Sequence, residues 1–230
     1  MKIVILAAGI GSRLGNPLPK PLTELKNGKS IMQHQIDNVS KYFNPDNVVT
    51  VVGFKKEVIM EHFPASIYIY NPRYDQTNTS KSLLLALKKF SGDGVLWMNG
   101  DVVFEATLFD HILPHIQKDI SFMCVNNSEC GDEEVKYRTN DQGDIIEISK
   151  KVVNGEGEAV GINYISSKDI SLLIRRLEEV EDNEYFEGGI ERMIKLDKVR
   201  VLPIDISEFD CMEVDFKEDL DNANRMLDRK

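Results

Sequence analysis

At 230 residues the chain is long enough to bury a full core as one large domain, and its 38 acidic against 28 basic residues give a formal net charge of −10. That balance argues against a nucleic-acid partner, because affinity for a phosphate backbone comes from clustered Lys and Arg. Three cysteines, Cys124, Cys130 and Cys211, are odd in number and lack C-x-x-C spacing, so they read as reduced thiols rather than staples or zinc ligands.

The apolar run Lys2 to Ala8 predicts a strand that opens the chain with no charged lead-in or cleavage site. No later run is long enough to span a bilayer, and the expectation is a cytoplasmic protein without a membrane partner. The first strand runs into Gly9-Ile10-Gly11-Ser12-Arg13-Leu14 and then Pro19-Lys20-Pro21-Leu22. Ser30 is a plausible N-cap for a helix through Ile31, Gln35, Ile36 and Val39. Strands are expected at Val48 to Gly53, Ser66 to Tyr70, Val95 to Met98 and Ile120 to Val125, with helices at Lys56 to Phe63 and Ser80 to Phe90 between them. From about Asn126 the pattern changes to turns such as Asp141-Gln142-Gly143 and short strands at Asp144 to Ser149 and Ala159 to Ile165. Helical patterns return at Asp169 to Val180 and Tyr185 to Leu196, and a last helix is expected from Phe216 to Leu227. The alternation is that of an α/β sheet in one domain, residues 1–230: a core over 1–125, a lid portion over 126–200, and a carboxylate-bearing strand with its helix over 201–230.

An apolar strand entering a glycine-rich, basic loop lets backbone amides approach a phosphate chain while cations neutralise it. A dinucleotide-binding turn would need a third glycine where Leu14 stands, and Gly28-Lys29-Ser30 lacks the earlier glycine of a P-loop because Thr23 occupies its place. Ligands of open α/β sheets sit beyond the carboxyl ends of the strands, which singles out Asn99-Gly100-Asp101 and Glu213-Val214-Asp215. Each aspartate has two readings. Asp101 is a cap for the helix near Thr107 or a cation ligand; Asp215 is the N-cap of the last helix or the partner carboxylate. His111 and His115 share a helical face but are separated by Pro114 and lack a third ligand, so they read as solvent-facing. Tyr185-Phe186-Glu187 fits a cationic head group, or equally the apolar stripe of a helix with Ile190 and Met193.

The order A-A-G-x-G-x-R-L followed by P-K-P-L, together with Asn71-Pro72-Arg73-Tyr74, Asn78, Ser82-Leu83, the N-G-D element and the late E-x-D, resembles the sugar-nucleotidyltransferase superfamily. Within it the chain is most similar to the cytidylyltransferase branch that acts on phosphocholine, inositol phosphate and 2-aminoethylphosphonate. The resemblance implies a Rossmann-like, mostly parallel sheet flanked by helices, with a small acceptor-binding lobe. It implies CTP and a phosphorylated or phosphonate acceptor as partners and Mg2+ as cofactor, held by Asp101 and Asp215. It assigns Leu6, Ala7, Ala8, Gly9, Gly11, Ser12, Arg13, Lys20, Asn78, Ser82 and Gly100 to the nucleotide, with Arg13 and Lys20 catalytic. Glu134, Lys136 and Lys150 fall on the acceptor side, to which the residue chemistry adds Tyr185 and Glu187. The loop from Leu14 to Pro19 is short, leaving fewer triphosphate contacts than in many sugar pyrophosphorylases. Two rival functions stand beside this one: a pyrophosphorylase using UTP, dTTP or GTP with a sugar 1-phosphate, and a nucleotide-sensing subunit without catalysis.

Overall fold

The computed structural model describes residues 1–11, 14–15, 17–90, 92–128 and 134–228. The elements in chain order are β1 (Lys2–Ala7), α1 (Ile31–Ser40), β2 (Val48–Val52), α2 (Lys56–His62), β3 (Ile67–Tyr70), α3 (Thr79–Leu87), β4 (Val95–Asn99), β5 (Val102–Phe104), α4 (Leu108–Gln117) and β6 (Phe122–Asn126). They continue as β7 (Lys136–Thr139), β8 (Ile145–Ser149), β9 (Gly157–Ile165), α5 (Ile170–Glu179), α6 (Phe186–Asp197), β10 (Leu202–Asp205), β11 (Cys211–Glu213) and α7 (Lys217–Leu227). Among the described residues no helix is long and apolar enough to cross a membrane.

Seven strands of the nine-stranded main sheet run in the order β10-β6-β9-β4-β1-β2-β3, and β7 and β8 join it through β9. Along that order neighbours pair in parallel except at β9, which is antiparallel to both β4 and β6; β7 is antiparallel to β8 and β9. The fold is α/β, mostly parallel, with helices on both faces. Alternation along β1 explains the layering: Val4 and Leu6 pack with Leu83, Leu87, Leu173, Phe186 and Ile190 from α3, α5 and α6. Ile3, Ile5 and Ala7 pack on the opposite face with Met32, Val39, Ile59, Phe109 and Ile112 from α1, α2 and α4. Because both faces are covered, β1, β2 and β4 are almost continuously buried and read in the sequence as largely apolar runs, with Thr50 the one polar residue inside them.

Chain order reverses at β1. The chain passes from β1 to β2 and β3 on one side, then returns through α3 to place β4 on the other. The carboxyl ends of β1 and β4 therefore border a crevice at the switch point. The β7–β8 hairpin is turned at Asn140–Asp144, with Gly143 at φ +79°, and the residues that flank it, Glu134, Val135 and Lys150, line this crevice. Lys136 and Tyr137 of β7 pair with the start of β9, the strand that continues into the main sheet. A second, two-stranded sheet joins β11 to β5 antiparallel. Beneath it Val103, Val214, Ala223 and Met226 form a third, smaller core with Leu25 and Ile31.

Several short strands depart from the sequence expectation. β5, β7 and β10 are three or four residues long and were not anticipated, and β9 begins at Gly157 rather than Ala159. Ser30 caps α1 as expected, accepting from Gln33 N at 3.2 Å. Pro114 does not interrupt α4. His111 is exposed as expected, with its ring against the Asp205 carbonyl and Phe209, whereas His115 is half-buried and meets Phe122 edge-on.

Candidate active site

A cleft of about 740 Å3 opens at the carboxyl ends of β1 and β4. Its floor is Leu6, Ala7, Gly9 and Gly11 from the end of β1 and the loop after it, beside Asn99, Gly100 and Asp101 from the end of β4. Lys20 enters from the short 3-10 turn Lys20–Leu22, which is closed by Leu22 N to Pro19 O and Thr23 N to Lys20 O at 2.8 and 2.9 Å. Flanking prolines fix the backbone there and leave the lysine stem little freedom. Gly11, at φ +61°, makes room for that stem: a Cβ at this position would stand 2.7 Å from Lys20 Cβ.

The Lys20 ammonium donates to Asp101 Oδ2 at 2.5 Å and to Asp215 Oδ1. Burial alone would push the Lys20 pKa down, but the two carboxylates outweigh it and hold the amine above its ordinary value. Asp215 reaches this position because Val214 N donates to the Asp101 carbonyl at 3.0 Å, tying the β5–β11 ribbon to the end of β4. Neither aspartate serves as the helix cap that the sequence also allowed. The backbone N–H groups of Asp215 and Phe216 both donate to Asp219, and Phe216 takes the N-cap position of α7. The α4 N-cap is Thr107, with no side-chain cap bond.

Glu213 and Asn99 complete this end of the cleft and were not among the expected ligand-binding residues. Asn99 Nδ2 donates to Glu213 Oε1 at 2.9 Å. Burial, then the charges of Asp101 and Asp215, push the Glu213 carboxyl well above the ordinary carboxylate range. The signal for both was present, since they are the first residues of the N-G-D and E-x-D elements.

The opposite end is lined by Asn78 and Thr79 at the start of α3, by Glu134, Val135 and Ala159, and by Lys150, Tyr185, Phe186 and Glu187. The α3 and α6 starts are joined, as Phe186 N donates to Thr79 Oγ1 and Asn78 Nδ2 to Asn183 O. Tyr185-Phe186-Glu187 satisfies both of its readings at once. Phe186 is buried edge-on against Trp97 at 5.6 Å, part of the apolar stripe. Tyr185 is 41 % exposed, and Lys150 Nζ lies 5.2 Å from its ring centroid. Glu187 is buried, and its Oε2 has no hydrogen-bond partner among the described residues. Burial pushes its carboxyl up to about 7.

Three expected residues lie outside the cleft lining. Ala8 is buried, and its carbonyl accepts from Phe54 N. Ser82 is buried and accepts from Asn71 Nδ2 at 3.1 Å, bracing the turn before α3. Lys136 lies in β7, paired in register with Ser149 and Glu158. Ser12, Arg13, Asn16 and Cys130, with Asp132 and Glu133, lie outside the described residues.

Two carboxylates from distant parts of the chain thus converge on one cation, and Asp101 Oδ1 is buried without a hydrogen-bond partner among the described residues. This donor set fits a magnesium ion, which binds through one or two carboxylates with phosphate oxygens and water supplying the rest. Among the described residues no cluster of three or more His, Cys, Asp or Glu offers an all-protein metal cage.

The model of the MobA-like NTP transferase domain matches residues 3–158, a segment that contains both the β1 loop and the N-G-D element. The chain belongs to the MobA-like NTP transferase family. Of the curated relatives of this family member, the bifunctional protein GlmU of Methanocaldococcus jannaschii is 30 % identical over 87 % of this chain and 48 % of its own length. The chain therefore spans about half the length of that relative. The CMP-5'-(3-aminopropyl)phosphonate synthase of Streptomyces rubellomurinus is 35 % identical over 49 % of this chain and 19 % of its own. In fold, the chain is similar to the CTP:phosphocholine cytidylyltransferase of Streptococcus pneumoniae, with a TM-score of 0.77 at 18 % identity over 98 % of both chains.

Proposed function

We propose that this protein is a magnesium-dependent cytidylyltransferase that transfers CMP from CTP to a phosphorylated or phosphonate small molecule, releasing pyrophosphate. The observation that carries the reading is the Lys20 ammonium held between Asp101 and Asp215 at the strand ends of the switch point. A site that only sensed a nucleotide would have no use for a half-buried carboxylate pair beside a cation. The choice of CTP is supported by the activities for which the Streptomyces and Streptococcus proteins are named.

In this reading an acceptor oxygen attacks the α-phosphorus in line, the bond to the β-phosphate breaks, and pyrophosphate leaves. The acceptor oxygen is already ionised at neutral pH, so no protein nucleophile is needed. The barrier is mutual repulsion and misalignment of anions, which makes positioning and charge stabilisation the main contributions. The loop amides after β1 receive the triphosphate. Lys20 turns from the carboxylates to the α-phosphate and the incoming oxygen, and Arg13 serves the leaving phosphates. Magnesium held by Asp101 and Asp215 would supply positive charge on the phosphate oxygens.

The experiment is pyrophosphate release with magnesium, each nucleoside triphosphate against a panel of phosphorylated alcohols, phosphonates and sugar 1-phosphates. Turnover confined to CTP with a non-sugar acceptor is expected. Turnover with UTP, dTTP or GTP and a sugar 1-phosphate would replace the proposal with a pyrophosphorylase, and silence throughout would overturn the catalytic reading.

A further inference from the structure

The strap of residues 180–185 links α5 to α6 without regular structure, and its internal bonds are those of one turn, Glu184 N to Glu181 O and Glu181 N to the Glu184 carboxylate, each at 3.1 Å. So little internal bonding leaves its place to be set by neighbours, and the neighbour is the first turn of α3. Asn78 N donates to Asp182 O at 2.8 Å and Asn78 Nδ2 to Asn183 O at 3.2 Å. Ser80 Oγ donates to Glu184 O at 2.6 Å, and Thr79 Oγ1 accepts from Phe186 N at 3.2 Å. Lys81 closes the row. Its ammonium donates to Leu177 O at 2.9 Å and Val180 O at 2.6 Å, at the end of α5. A helix end leaves such carbonyls without intrahelical partners, and no glycine turn satisfies them here, because Val180 carries the chain away in extended conformation. Arg192 of α6 takes the neighbouring Glu179 O from an exposed position.

Asn78 and Thr79 also line the cleft, and the strap runs directly into Tyr185, Phe186 and Glu187, which line it as well. Both α3 residues can serve a ligand without releasing the strap: Asn78 Nδ2 carries a second N–H, and Thr79 Oγ1 keeps its own proton to donate while it accepts from Phe186. Lys81 is not part of the cleft lining and reaches the site only through the strap. We propose that Lys81 is a positioning residue, and that the α3 turn it anchors couples the two ends of the cleft: a nucleotide engaging Asn78 and Thr79 fixes the strap and with it Tyr185 and Glu187. A ligand that binds the docked strap better than the undocked one shifts the balance toward docking by that difference in affinity. Which end takes the nucleotide rests on the cytidylyltransferase reading, but the coupling can be measured without turnover and without an acceptor.

The test is amide hydrogen exchange on the wild type, Lys81→Met and Lys81→Arg, each alone and with magnesium and CTP, UTP, dTTP or GTP in turn. CTP is expected to slow exchange over residues 180–188 of the wild type several fold. Without nucleotide, Lys81→Met should speed exchange there by about tenfold or more, the range of hydrogen bonds from a charged donor, while β1 and β4 keep their protection. CTP should restore part of that protection, and Lys81→Arg, whose guanidinium can still bridge both carbonyls, should keep the wild-type pattern. Exchange over 180–188 that no nucleotide alters overturns the coupling. Unchanged exchange in Lys81→Met overturns the positioning role, and so does acceleration that extends to β1 and β4, which would make Lys81 a support of the whole fold. The two proposals fail separately: a strap slowed by another nucleotide but not by CTP keeps the coupling and sinks the choice of CTP, and a strap slowed by CTP with no pyrophosphate released from any acceptor keeps the coupling and sinks the catalytic reading.

Discussion

Lys20 has two carboxylates for one ammonium, and removing it has consequences for both stability and chemistry. Lys20→Met leaves Asp101 and Asp215 facing each other without a counter-charge. Because both aspartates keep some contact with water, the expected loss of stability is modest, about 1–3 kcal/mol. Turnover should fall by about a hundredfold or more, the usual loss when a positioned charge is taken from a transition state. Magnesium should raise the melting temperature of Lys20→Met more than that of the wild type, because the ion would then relieve an unscreened repulsion. A smaller shift than in the wild type would show that the two carboxylates do not share an ion.

Glu187 gives a pH dependence with a defined sign. Its carboxyl is raised by burial from 4.5 to about 7, so the folded state binds a proton that the unfolded state has already released. The contribution is fully present below pH 4.5 and is lost as pH rises through 7. Denaturant melts of the ligand-free protein should therefore show this share of the stability falling between about pH 4.5 and 7. Glu187→Gln should flatten that slope and gain about 2–3 kcal/mol relative to the wild type at pH 8. An unchanged slope would mean that Glu187 finds a partner when ionised.

At the scale of elements, the ends of β1 and β4 approach so closely that only glycine fits at position 100. Its N–H donates to the Leu6 carbonyl at 2.9 Å, and a Cβ there would stand 2.7 Å from that oxygen and 3.1 Å from Pro21 Cγ. The obstruction is backbone, so Gly100→Ala must move one strand end. A cost of about 1–3 kcal/mol is expected, with Asp101 displaced in the process, and activity should fall further than the melting temperature alone explains. A variant with full activity would argue against a role for Asp101 in turnover.

The elements most legible in the sequence were those buried on both faces. Apart from Thr50, Ile3 to Leu6, Val48 to Val52 and Val95 to Met98 are apolar without alternation because helices cover them from either side. β5, β7 and β10 escaped because strands of three or four residues carry no measurable period, and their place is set by partners distant in sequence. The same limit applied within the site. The N-G-D and E-x-D elements could be read locally, but the bond from Asn99 to Glu213 spans 114 positions. Ser82 shows the opposite case, a residue with the right spacing for a ligand whose hydroxyl faces Asn71.

At the scale of the whole molecule, the site joins two parts of unequal stability. Asp101, Gly100 and the β1 loop project from a nine-stranded sheet covered by two large apolar layers. Asp215 instead depends on a two-stranded ribbon of three paired residues and on a small core around Val103, Val214, Ala223 and Met226. Such a unit opens locally at a lower free energy than the central sheet. Val214 is fully buried in that small core, and Val214→Ala removes two methyl groups at a cost of about 1.5–3 kcal/mol. The loss should fall on the ribbon. Hydrogen exchange should accelerate across β5, β11 and α7 while β1 and β4 keep their protection, and turnover should decline because Asp215 spends more time away from Lys20 and Asp101. Uniform acceleration over the whole chain would instead mean that the ribbon and the central sheet unfold as one unit, and that the second carboxylate is held as firmly as the first.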